Sequence, residues 1–380
     1  MKIYMIAGEP SGDLLGQGLI RALRARAPHV ELSGVGGEAM RRENFDSLFP
    51  MNEISLMGVL PVLANLRHLL KRIDQTARAV IAARPDALIL IDSPDFTHRV
   101  AKRVRKVLPD LKIVNYVGPT VWAWRPGRAK KMRAYVDLIL AIFPFEPEAH
   151  LRLGGPRCLY IGHPVIERAA QLRGDDEAKK SGPVLVLPGS RASVVQRMGI
   201  PFGEAIARLD VAHPGLDYIL PTATSVVEKV RAMIADWPVK PRVVVDDAEK
   251  YAAFRSARAA LAASGTVALE LAMSRTPAIV AYRIPKIEEF FARRLIQVSM
   301  VSLPNLIIGE KAYPEYLQDE ANGALLAERL AEIIEDSPER RRQLAALGLL
   351  RERIAIAEGQ KPSEKAAEAI CELIGASQSN

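Results

Sequence analysis

The chain predicts an α/β protein built as two doubly wound parallel units, on three observations. Short apolar, β-branched runs alternate with longer helical patterns through its whole length. The alternation breaks at one charged, glycine-bearing segment, about Ile166 to Ser181, and then restarts. A length of 380 residues with 49% hydrophobic content exceeds one ordinary core. Residues 1–165 and 166–345 are therefore expected as domains facing across a cleft, with 346–380 as closing helices able to pack back on the first.

In the first half "KIYMIAG", "ALILID", "KIVNYVG" and "LILAIFP" read as strands, with helices such as Asp13 to Ala25 and His98 to Leu108 between them. In the second half "PVLVLPGSR", "LDYILPTA", "PRVVVDD", "AALAASG" and "TPAIVAYRI" are strands, with helical segments from Gly199, Ser225, Ala248 and Thr266. The tail to Ile374 is helical in period and dense in i,i+4 charge pairs. Two apolar stretches, Ile54 to Ile73 and Phe290 to Gly309, are either buried against a sheet or laid into a membrane interface.

Two isolated cysteines, Cys158 and Cys371, support neither a disulfide framework nor a thiolate metal site. The N-terminus lacks a signal-peptide pattern and no apolar run is long enough to span a bilayer, so a cytosolic protein is expected. Six scattered histidines and the lack of any Asp-X-Asp give a metal little support, and neither metal nor cofactor is expected. The net charge of +8 is uneven: residues 1–165 carry 24 Lys/Arg against 15 Asp/Glu, and residues 166–380 carry 28 against 29. A basic first half attracts nucleic acid, anionic membrane or phosphorylated small molecules.

Ligands of open α/β sheets bind beyond the carboxyl ends of strands, so the turns there are the candidates. "AGEPSGD" follows the first strand, with Gly8 and Gly12 allowing close backbone approach and Ser11 or Asp13 able to cap. "IDSPDF" sets Asp92 at a strand end and Asp95 after a proline; Asp92 is the better acid–base candidate, Asp95 the better cap. "LPGSR" places the Arg191 guanidinium beyond a strand, where it can fork onto a diphosphate. "ASGTVALELA" leaves N–H groups near Ser264, Gly265 and Thr266 at a helix N-terminus, an anion site, with Glu270 one turn further to accept from hydroxyls such as those of a ribose.

The ordered set "AGEPSGD", "SLMGVLPVL", "IDSPDFT", "YVGPTVWAWRPGR", "FPFE", "YIGHP", "LPGSR", "SGTVALE", "AYRI" and "SLPNLI" resembles the lipid-A-disaccharide synthase family. The resemblance implies two Rossmann-like domains of the glycosyltransferase B type, the sugar nucleotide held mainly by the second and the acceptor by the first. It implies transfer of 2,3-diacylglucosamine from UDP to the 6-hydroxyl of 2,3-diacylglucosamine 1-phosphate, with inversion and release of UDP, at the inner face of the cytoplasmic membrane. Homodimers occur in the family. By the same resemblance Asp92 is the general base, Arg191 serves the diphosphate, Glu270 the ribose and Asn305 the nucleotide site. Ser264, Gly265 and Thr266 cradle phosphate, and Ser11 and Asp13 face the cleft from the other side. Val194 stands where the family usually carries an acid, which leaves the start of that helix differently supported.

The segment Asn115 to Arg133 holds Trp122 and Trp124 and five basic residues. Strand-like alternation points both rings the same way, toward core or toward substrate. With Arg125, Arg128, Lys130 and Lys131 it is expected to border the cleft as an aromatic wall and a cationic rim for the acceptor phosphate and anionic lipid. The alternatives are another enzyme of the same fold, a different glycosyltransferase or a UDP-sugar epimerase, and a nucleic-acid-binding module in which Trp and Arg stack bases. Low aromatic content, 6%, and the nucleotide-type turns of the second half argue against nucleic acid.

Overall fold

A computed structural model describes residues 1–55, 65–174, 181–285, 289 and 298–378. It divides into two compact units, Met1–Pro164 with Ile356–Asn380, and Val165–Ala355. The middle of the Ile54 to Ile73 stretch and the first part of the Phe290 to Gly309 stretch lie outside the described residues.

The first unit runs β1 (Lys2–Ala7), α1 (Pro10–Arg26), β2 (Glu31–Val35), α2 (Glu38–Arg41), α3 (Leu66–Ala83), β3 (Ala87–Ile91), α4 (Pro94–Val107), β4 (Lys112–Tyr116), α5 (Gly127–Met132), β5 (Leu138–Ala141), α6 (Glu146–Arg152) and β6 (Arg157–Tyr160). Its six strands are parallel in the order β2-β1-β3-β4-β5-β6. Every residue of β3 and β5 is buried, as an all-parallel sheet covered on both faces requires. One face packs Ile6, Leu88, Leu90 and Ile113 against Ile73, Val80, Val100 and Val104. Both α1 and α4 begin earlier than their apolar period indicates, because Pro10 and Pro94 occupy the first helical turn, where a missing N–H costs nothing.

The second unit continues with α7 (Ala169–Leu172), β7 (Val184–Leu187), α8 (Ala192–Ala212), β8 (Tyr218–Pro221), α9 (Val227–Ile234), β9 (Arg242–Val244), α10 (Asp247–Ser256), β10 (Ala259–Ala263), α11 (Thr266–Met273), β11 (Ala278–Tyr282), α12 (Leu303–Ile308), β12 (Glu315–Leu317), α13 (Gly323–Ile334) and α14 (Pro338–Ile354). Its parallel order is β12-β11-β10-β7-β8-β9. Helix α8 starts at Ala192 rather than Gly199, since Val194, Val195 and Met198 already turn into the core, and it continues through Pro201. The described part of the expected linker folds into this unit: Leu172 is fully buried, and Arg255 Nη1 donates to the Gln171 carbonyl at 2.9 Å.

Helix α15 (Pro362–Gln378) belongs to the first unit and lies along α1. Ser363 packs at Gly18, and Arg26 reaches Glu368 at 3.2 Å.

Candidate functional site

The strand order of each sheet reverses once, and reversal opens a crevice at the carboxyl edge where two successive connections diverge. In the first unit this point lies between β1 and β3, whose last residues, Ala7 and Ile91, are paired. The turns that leave it are "GEPSGD" and "DSPD". Gly8 is required there: a Cβ on it would sit 2.5 Å from the Ser93 Cβ. Asp92 and Ser93 both adopt left-handed backbone, φ +55 and +44. Such paired strain persists only where surroundings enforce it. Here the Ser93 N–H donates to Asp92 Oδ1 at 2.8 Å, and the Thr97 hydroxyl donates to the carbonyls of both residues at 3.0 Å. Ser11 donates to Asp92 Oδ2 at 3.3 Å, so the two turns meet at a half-exposed carboxylate.

Asp13 does not join them. Its carboxylate, 4% exposed, accepts from the N–H groups of Gly37, Ala39 and Met40 at 2.7, 2.7 and 3.1 Å, capping α2. The expectation that Asp13 faces substrate is corrected: three orphan N–H donors at a helix start satisfy it in the interior. Asp95 instead is exposed, with Arg128 Nη2 3.5 Å away.

The tryptophan segment is a turn, not a strand. Ala123 and Trp124 N–H groups both donate to the Thr120 carbonyl, and Arg125 is left-handed at φ +53. The two rings therefore part. Trp122 is half-buried, edge-on to Phe143 and Phe145 with centroids 6.2 and 4.9 Å away, and its Nε1 donates to Glu146 Oε1 at 3.2 Å. Trp124 is exposed, with the Arg125 guanidinium 4.2 Å over its ring. Of the basic residues behind them, Arg128 is half-buried while Arg125, Lys130 and Lys131 are exposed.

Glu146 was not singled out from sequence. It is 2% exposed, accepts from the Phe143 N–H at 3.0 Å, and burial pushes its carboxyl up to about 7. The signal was present in "FPFE", an acid placed straight after an apolar strand and two aromatics.

In the second unit the order reverses between β7 and β10, and their exits carry "PGSR" and "SGT". Gly189 is left-handed at φ +114 over Val194, which is 6% exposed. Val194 thus fills core where an acid would need partners. Helix α8 has no acid in its first turn and no side-chain cap, and its N-cap, Arg191, presents an exposed side chain at the edge. Across the same edge Gly265 and Thr266 are exposed at the start of α11, and Ser264 is tied by its hydroxyl to the Val301 carbonyl at 3.2 Å. A Cβ on Gly265 would meet nothing within 4 Å, so the N–H groups there are open to an approaching anion.

Glu270 lies one turn in, held by Lys250 Nζ at 3.1 Å and Arg168 Nη1 at 3.4 Å. Asn305 is fully buried, and its amide is consumed internally: Nδ2 donates to the Tyr313 carbonyl and to Glu315 Oε1, both 2.8 Å, and Oδ1 accepts from the Tyr313 N–H at 2.8 Å. Direct contact of Asn305 with a ligand is corrected to a supporting position. It fixes Glu315, which in turn accepts from the Val301 and Ser302 N–H groups beside Ser264. Arg191, Ser264, Gly265 and Thr266 come together at one edge; Ser11 and Asp92 do so in the other unit.

A protein-family model described as lipid-A-disaccharide synthetase matches residues 3–370. A lipid-A-disaccharide synthase of Nitrobacter hamburgensis is 50% identical over 383 residues, covering 99% of this chain and 96% of that protein. One from Rhodospirillum centenum is 42% identical, covering 98% and 94%. Among solved structures, S. aureus MnaA with UDP superposes with a TM-score of 0.64 at 14% identity, covering 100% of this chain and 97% of that one. The UDP-GlcNAc 2-epimerase from Neisseria meningitidis bound to UDP-GlcNAc gives 0.64 at 10% identity, covering 99% and 100%. At these identities the likeness is one of fold, two α/β units of the glycosyltransferase B type.

Proposed function

The chain belongs to the lipid-A-disaccharide synthase family, glycosyltransferases of lipid A biosynthesis, and on that premise we propose which substrates its two switch points serve. The donor is UDP-2,3-diacylglucosamine and the acceptor 2,3-diacylglucosamine 1-phosphate. The acceptor 6-hydroxyl displaces UDP with inversion, giving the β-1,6 disaccharide 1-phosphate. The observation that carries the reading is the distribution of charge at the switch points: a carboxylate held out by a strained turn in the first unit, and a guanidinium beside open helix N–H groups in the second.

In this mechanism Asp92 accepts the proton as the hydroxyl oxygen attacks the anomeric carbon, and Ser11 orients the carboxylate. Arg191 forks onto the departing diphosphate, joined by the N–H groups at Gly265 and Thr266, while Ser264, whose N–H donates to the Ala281 carbonyl at 3.3 Å, holds the turn that presents them. This charge lets the displacement proceed without a metal. Glu270 takes the ribose hydroxyls while Lys250 and Arg168 keep it in place. Trp122 walls the acceptor side, and Arg125 and Arg128 with Lys130 and Lys131 face its phosphate.

Among the described residues no helix is long and apolar enough to cross a membrane. Both substrates are acylated, so the protein works at the cytoplasmic face of the inner membrane as a peripheral enzyme. The exposed Leu66 and Leu70 on α3 and the basic face support that placement. A homodimer is part of the proposal by family likeness alone. The test is incubation of the purified protein with both substrates in detergent, following UDP and the disaccharide phosphate together. Formation of neither sinks the proposal.

A further inference from the structure

Between α4 and residues 125–135 lies a cavity of about 460 Å³. Its walls carry Arg99, Lys102, Arg125, Arg128 and Lys131 against a single carboxylate, Asp95. That carboxylate is 90% exposed and offers little neutralisation within the cavity. Aromatic faces position two of the cations: Arg125 lies 4.2 Å over Trp124, and Lys102 lies 4.9 Å over Tyr135. The lining includes His98, whose Nε2 meets Asn115 Oδ1 at 2.8 Å and whose Nδ1 meets the Tyr135 hydroxyl at 3.2 Å. Burial, reinforced by Arg128 and Lys102, brings His98 down to about 4, so it adds no sixth positive charge. Five cations converging on one opening repel one another, and an anion relieves them jointly.

Size and position narrow the ligand. The cavity begins at Pro94 and Asp95, three residues or fewer beyond Asp92, and three residues of chain reach at most about 10 Å. The Pro94–Asp95 end of the cavity therefore lies within about 10 Å of Asp92 along the chain, the scale of a single sugar bearing a phosphate at one end and a nucleophilic hydroxyl at the other. We propose that this cavity is the seat of the acceptor's phosphate monoester, and that Arg99 and Lys102, on the wall opposite Arg125 and Arg128, are further binding residues. The assignment rests on the acceptor reading above. It moves the phosphate from a rim along residues 125–131 into an open cleft between that segment and α4, whose lining excludes Lys130.

The test compares the wild type, Arg99→Lys and the double variant Arg99→Ala/Lys102→Ala, each checked for an unchanged melting temperature. Calorimetry is run with glucosamine 1-phosphate, glucosamine and UDP, and acceptor KM is measured in detergent. The expected result is wild-type binding of glucosamine 1-phosphate but not glucosamine. In the double variant that binding weakens and acceptor KM rises, each about tenfold or more, with UDP affinity within about twofold and Arg99→Lys intermediate. Equal binding by wild type and double variant, or no wild-type binding of the phosphate, overturns the proposal. Sedimentation with phosphatidylglycerol vesicles separates the lipid surface from the acceptor. If vesicle binding falls while acceptor KM in detergent is unchanged, the cavity serves lipid headgroups and the proposal is wrong. If the wild type forms no disaccharide yet binds glucosamine 1-phosphate through Arg99 and Lys102, the synthase assignment fails and the phosphate seat stands.

Discussion

The Ser11 hydroxyl donates to the Asp92 carboxylate across 3.3 Å, joining the loops that leave β1 and β3. A carboxylate presented this way is held in one orientation by the hydroxyl. Asp92→Asn is expected to lower kcat by about 10²–10⁴ while the melting temperature stays near wild type, because asparagine also tolerates the left-handed backbone at φ +55. Ser11→Ala, which removes only the orienting bond, is expected to cost about tenfold or less. Steady-state kinetics beside thermal melts decide both, and near-normal turnover in Asp92→Asn would remove the general base from the mechanism.

Gly8→Ala tests the close approach of the same loops. Its new methyl would stand 2.5 Å from the Ser93 Cβ, and both neighbours are backbone-anchored. Loss of about 1–3 kcal/mol in denaturant unfolding is expected, with a fall in kcat as Ser93 and Asp92 shift. A variant as stable and active as wild type would show that the turn has slack.

Gly265→Ala should behave in the opposite way. The position is extended backbone, φ 163 and ψ −168, and a Cβ there meets nothing within 4 Å, so unfolding is expected to be unchanged. UDP affinity measured by calorimetry should nevertheless fall by about tenfold as the methyl crowds the anion site. Arg191→Ala, also exposed, is expected to lower kcat/KM by about 10²–10³ in a folded protein. Unaltered nucleotide affinity in both would place the nucleotide elsewhere.

Stability should depend on pH through three buried groups of the first unit. Burial raises Glu146 from 4.5 to about 7, so between these values the unfolded chain ionises and the folded one does not, and stability falls as pH rises. Burial lowers His98 and His150 from 6.5 to about 4, so they stay neutral while the unfolded chain gains protons, and stability falls as pH drops from 6.5 to 4. Neither ring nitrogen of His150 has a hydrogen-bond partner among the described residues. His150→Leu is therefore expected to retain about 2 kcal/mol more of its neutral-pH stability at pH 5 than wild type does. Glu146→Gln should flatten the decline between 4.5 and 7. Urea titrations across pH measure both, and parallel wild-type and His150→Leu curves would refute the histidine contribution.

Much of this was legible in the chain because a strand's apolar run and the turn after it are adjacent in sequence. The positions of Asp92, Arg191 and the Ser264–Thr266 turn just beyond strand ends follow from that adjacency alone. Asp13 and Asn305 were misjudged because a polar side chain near a turn has several partners in reach. Which backbone it meets, α2 for one and Tyr313 for the other, depends on how distant segments pack. Trp122 and Trp124 misled for a different reason: two residues spaced by one imitate a strand, yet between Pro119 and Pro126 the chain turns at Val121–Ala123, makes a single bridge at Trp124, and Arg125 redirects it by a left-handed step. Arg99 and Lys102 were invisible as a pair because i,i+3 charges on a helix are ordinarily solvent-facing; only the neighbouring turn makes them walls.

Helix α15 buries Ala366, Ala367 and Ile370 within the first unit, alongside α1, although all of Val165–Ala355 separates them in the chain. During synthesis α1 emerges early and its cover emerges last. At about 5–20 residues per second the ribosome needs roughly ten to forty seconds to make the intervening unit. Through that interval the nascent first unit carries an uncovered apolar seam, so it is the half made first that is finished second, and a premature stop between residue 164 and Pro362 injures the half already made.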